Sequence, residues 1–108
     1  MILDLTKKSL KLNVYDCSLI DIIIVDVLQC DGLYCSCASD CVEHFNCAVA
    51  DVILGYKKRL ILDLSDCFCL SSIVANWFNV PDSLKNPNVF VDVRMLRDSL
   101  SLVCSGVN

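Results

Sequence analysis

The sequence has a single histidine, His44, and a single glutamate, Glu43. It contains no glycine-rich phosphate loop, no His-Glu-x-x-His pair and no nucleophile elbow, and nothing places a third group to orient a Cys–His pair. A non-enzyme is expected. Basic residues are in the minority, nine Lys and Arg against thirteen Asp and Glu. The net charge of −4 and pI near 4.6 argue against nucleic acid, whose phosphates call for a basic surface. Long apolar runs are missing as well. The most apolar stretch, Leu19 to Leu28, is cut by Asp21 and Asp26, whereas a spanning helix needs about 20 apolar residues. No basic segment precedes an apolar one at the start, so neither a signal peptide nor a membrane span is expected. Repeats, linkers and low-complexity tracts are also absent. Hydrophobic residues reach 56%, charged residues only 20%, and mean hydropathy is +0.59, the opposite of a disordered composition. These figures describe one core-rich domain over residues 1–108.

Cysteine is the abundant exception: Cys17, Cys30, Cys35, Cys37, Cys41, Cys47, Cys67, Cys69 and Cys104. An odd count, no export signal and an already sufficient core argue against a disulfide framework. The thiols are expected to be reduced, in a cytoplasmic protein, and to stand where other sequences put Val or Ala. Cys30, Cys67, Cys69 and Cys104 fall at apolar positions and should be mostly buried. Cys35, Cys37, Cys41, His44 and Cys47 lie within thirteen residues, a set able to hold zinc or an iron–sulfur cluster. The spacing does not form two Cys pairs, however. A helix over 40–55 would also turn Cys47 away from the face shared by Cys41 and His44. No cofactor is expected; Cys35, Cys37, Cys41 and His44 are the metal candidates should one bind.

Hydrophobic patterning reads as alternating strands and helices. Residues 10–15 alternate apolar and polar, and Asp21 to Gln29 is β-branched and nearly continuous, which suits a central strand. Asp31-Gly32 breaks the pattern. Val42, Phe45, Val49, Val52, Ile53 and Tyr56 form a helical stripe over 40–55, opened by an Asp40/Glu43 capping box and closed by Gly55. Lys57, Lys58 and Arg59 follow as a cluster that complements the helix dipole. Arg59 to Leu64 reads as a second buried strand, adjacent to 21–29. Leu70, Ile73, Val74, Trp77 and Phe78 mark a helix over 71–79 with Ser71 and Ser72 in its first turn. Pro81 and Pro87 bracket a loop, Asn88 to Val93 is a further strand, and a helix over 95–104 ends at Gly106. The order β-β-α-β-α-β-α predicts an α/β fold: a mostly parallel four-stranded sheet with an antiparallel edge strand, covered by three helices.

The segment Arg59-Leu-Ile-Leu-Asp-Leu-Ser-Asp-Cys-Phe-Cys-Leu-Ser-Ser-Ile-Val-Ala-Asn-Trp-Phe78 resembles the signature of STAS domains, the family of anti-sigma-factor antagonists and sulfate-transporter tails. That signature is an apolar strand ending in Asp-Leu-Ser, then a short connection and an Asp-Ser-Ser-Gly-Leu turn opening a helix. Asp31-Gly32-Leu33-Tyr34 occupies the place of the family's Gly-x-Leu-Asp turn. Aligned from Asp63, the family's phosphorylatable Ser falls on Ser72, or on Ser71 with a one-residue slip, while its Asp and Gly have no counterpart. The resemblance implies a STAS-like interaction domain that meets an anti-sigma-factor serine kinase around Ser71 and Ser72. Phosphorylation there would act by local repulsion; without it, the two serines simply cap the helix. An alternative within the same fold is a non-phosphorylated subunit docking on a transporter ATPase. A different class is a small metal or thiol module built on the cysteine cluster.

Overall fold

A computed structural model describes residues 1–29 and 36–105, with residues 36–41 given by their backbone. The elements run β1 (Ile2–Asp4), β2 (Ser9–Leu12), α1 (Val14–Leu28), α2 (Ser36–Ile53), β3 (Leu60–Leu62), α3 (Leu64–Asn79) and α4 (Phe90–Ser105). Single 3-10 turns at Asp82–Leu84 and Pro87–Val89 lead into α4. The sheet is antiparallel throughout, in the order β1-β2-β3. Leu10, Leu12 and Leu62 face the helices and are buried, while the opposed residues Ile2, Lys11 and Ile61 lie on the outer face.

This corrects the expected architecture: there is no mostly parallel four-stranded sheet, and the STAS-like α/β fold is not the fold of this chain. The largest difference is Asp21–Gln29, which belongs to helix α1 and its C-cap instead of a central strand. Two features explain it. Asn13 Oδ1 accepts from the Asp16 N–H at 3.0 Å, and the Asp16 carboxylate accepts from the Asn13 N–H at 3.0 Å, a reciprocal cap that starts a helix. Beyond it, Cys17, Ile20, Ile23, Ile24 and Val27 recur every three or four residues and are fully buried. The β-branched run Ile22 to Val25 costs only about half a kcal/mol per residue in helix propensity. Burying one whole apolar face, at about 25 cal/mol per Å², outweighs that cost.

Asn88–Val93 is likewise helical, not a strand. It spans the end of a 3-10 turn and the start of α4, where Val93, Leu96, Leu100 and Val103 are the buried stripe. Arg59–Leu64 does contain a strand, but β3 is an antiparallel edge with no neighbour from 21–29. Helix α2 begins at Ser36, so Asp40 and Glu43 lie inside it and do not cap it. Its end agrees with the sequence. Gly55 takes a φ of +87°, its N–H donates to Val52 O, and the Tyr56 N–H donates to Asp51 O, the pattern that closes a helix on a left-handed glycine. Helix α3 begins at Leu64, where Asp63 and Asp66 cap each other's N–H groups.

The core is one cluster shared by all four helices and the inner sheet face, with Trp77 and Phe45 its largest members. Trp77 is fully buried, as expected, and Phe78 packs half-buried beside it. Asp26 is the buried charged group of the described residues. Its Oδ2 accepts from Trp77 Nε1 at 2.9 Å and from the Asn86 N–H at 3.1 Å. Lys85 Nζ sits 4.6 Å from the Trp77 ring and 3.4 Å from Phe78 O, so the segment before α4 is pinned onto α1 and α3. Cys17 and Cys67 are buried and Cys69 and Cys104 half-buried, while Cys47 is exposed; Cys30 lies outside the described residues.

Candidate functional site

The serines singled out by sequence do not open a helix. Ser71 is half-buried and Ser72 exposed, both in the middle of α3, so neither meets the free N–H groups of a helix start. Ser65, Phe68, Ser72, Ala75 and Asn79 form the exposed side of that helix, mostly small and polar. In the cysteine cluster, Cys35 lies outside the described residues, and Cys37 and Cys41 are placed only by the backbone of α2. His44 is exposed, with Nε2 3.5 Å from Asp66 Oδ1. Among the described residues, no three His, Cys, Asp or Glu side chains are grouped to hold a metal ion.

Cys17, Cys67 and Cys104 are poor nucleophiles. Burial, with help from neighbouring Asp16, pushes the Cys17 thiol up to about 11. Burial first, then Cys104, Asp66 and Asp63, pushes Cys67 up to about 11. Burial also raises Cys104. Reactive cysteines are shifted the other way, toward thiolate at neutral pH.

The surface with the strongest binding character lies between α1 and α4. Each helix carries a second apolar face beside its buried one. On α1 it is Tyr15, 81% exposed, beside the half-buried Leu19 and Ile22, of which Leu19 also packs against the core. On α4 it is Val91, Met95 and Leu102, at 67%, 58% and 53% exposure. Between them runs a groove of about 230 Å³, walled by Tyr15 and Leu19 on one side and Met95 and Leu96 on the other. Met1 and two carboxylates, Asp16 and Asp92, complete its rim. Asp16 is already engaged by the helix cap and by the Met1 amine at 3.0 Å. Asp92 forms no ion pair among the described residues and no cationic side chain lines the groove.

Sequence reasoning missed these residues. Their signal was present in α4 as apolar residues at helical spacing on the wrong side of the core stripe, but a strand reading of 88–93 hid Val91. Tyr15 was taken as the end of a strand. Among the described residues, no helix is long and apolar enough to cross a membrane. The chain matches no protein-family model, no curated protein and no solved structure.

Proposed function

We propose that the chain is a non-enzymatic protein-interaction domain that engages its partner through the groove between α1 and α4. The observation that carries this reading is a groove whose two walls each hold an exposed apolar side chain, Tyr15 from α1 and Met95 from α4. Scattered surface apolar residues are ordinary, whereas a contiguous patch with a polar rim is the usual mark of a contact surface. Burial-raised pKa values at Cys17 and Cys67 favour a packing role over thiol catalysis at those two positions. An apolar groove with an acidic rim suits an amphipathic helix bearing Lys or Arg at its edges.

The test is affinity capture with the wild-type chain and with Met95→Asp and Tyr15→Asp, both at exposed positions. A partner retained by wild type and lost from both variants, at unchanged melting temperature, supports the reading. A partner recovered equally by all three overturns it.

A further inference from the structure

A second site lies at the outer face of the sheet, next to the α1–α4 groove, with Met1 lining both. Lys58 and Arg59 do not serve the helix end. Only Lys57 turns back to α2, with Nζ 4.0 Å from Asp51. The next two residues reach a cavity of about 350 Å³ lined also by Met1, Ile2, Lys11, Asn13 and the buried Leu12.

The register explains why the charges converge. Lys11 stands opposite both Ile2 and Ile61, and Leu12 stands opposite Leu60. Continuing that ladder puts Arg59 across from Asn13, on the same face as Lys11 and diagonal to it, a separation of about 7–8 Å. Lys11 therefore sits between Ile2 and Ile61 in the ladder, and its side chain lines the cavity. No ion pair among the described residues involves Lys11, Lys58 or Arg59, and no carboxylate lines the cavity. The chain has thirteen acids to nine bases, yet three of those bases share one cavity with no acid. Like charges so placed repel one another unless an anion lies between them.

We infer that this cavity binds a small amphipathic anion, a phosphate or carboxylate head on an apolar body. Lys11, Lys58 and Arg59 meet the head, and the exposed side chains of Met1 and Ile2 cover the apolar part. Arg59 offers a planar fork for two anion oxygens and the lysines act as point charges. The cavity has the size range of small-molecule sites.

Amide NMR titration tests this with four probes: octyl phosphate, octanoate, octanol and inorganic phosphate. Octyl phosphate and octanoate should both shift the amides of residues 11–13 and 58–60, and the tighter of the two identifies the preferred head. Inorganic phosphate should bind at least about tenfold more weakly than octyl phosphate. Lys58→Glu combined with Arg59→Glu, at two exposed positions, should weaken octyl phosphate by more than about tenfold at unchanged melting temperature. Lys11→Met keeps the stem and should also weaken it. Octanol binding as well as octyl phosphate, no response to either anion, or full affinity in the charge-reversed variant would each overturn the assignment.

Discussion

Two of the described places that break the rule of apolar inside and charged outside do so in opposite directions. At Asp26 a carboxylate is buried, and at the α1–α4 groove apolar side chains are exposed. The buried carboxylate is answered from within the chain. Trp77 Nε1 and the Asn86 N–H both donate to it, and Lys85 covers the indole. The exposed Tyr15 and Met95 side chains of the groove are left uncovered by the described residues. An anomaly that the fold satisfies is structural, and one that it leaves open is where a partner belongs.

That contrast predicts large stability effects at the first place and almost none at the second. Trp77→Ala removes the largest core side chain and leaves Asp26 with one donor fewer, so unfolding free energy should fall by about 3–5 kcal/mol in a denaturant titration. Asp26→Ala orphans the buried Trp77 Nε1 donor, at about 1–3 kcal/mol, and the part-buried Asn86 N–H at less. If Asp26→Ala is as stable as wild type, the node is not what holds the segment before α4.

The alkaline limb comes next. Cys17 and Cys67 titrate near 11 in the folded chain, above their unfolded value near 9. Between those values the unfolded state has given up a proton that the folded state still holds. Stability is therefore fully present below about pH 9 and lost as pH rises to about 11, by roughly 2–3 kcal/mol per thiol. Cys17→Ala with Cys67→Ala should flatten that slope when melting is followed from pH 8 to 11, whatever their cost at neutral pH.

Smaller still is the helix start that separates α1 from a strand. Asn13→Ala should lower stability by about 0.5–2 kcal/mol, and a similar loss is expected for Asp63→Ala at α3. No change at Asn13 would mean that burial alone holds α1. At the far end of the scale, Met95→Asp should stay within about 0.5 kcal/mol of wild type, because the side chain is 58% exposed and packs on nothing it stabilises.

How much of this was legible follows from which signals were local. The apolar stripe of α3 around Leu70, Ile73, Val74 and Trp77, the glycine stop at Gly55 and the strand character of 60–62 could all be read along the chain. Helix α1 was obscured because four consecutive β-branched residues, Ile22 to Val25, fill both its buried and exposed faces. The clue was the cap. Asn13/Asp16 and Asp63/Asp66 both form reciprocal boxes with Asp where Glu is usually sought, whereas the Asp40/Glu43 pair that fits the usual pattern lies within a helix. Position 21–29 as helix removes the crossover and with it the parallel sheet. The groove was harder to see, since Tyr15 and Met95 are eighty residues apart and meet only once α1 and α4 are both helices.

The most direct test of the account places a photo-crosslinking amino acid at Met95 in one chain and at Ser72 in another, each in the presence of the native partner. The groove account predicts a covalent adduct from position 95 and none from position 72. An adduct from position 72 with none from position 95 would move the interface to the exposed face of α3 and contradict it.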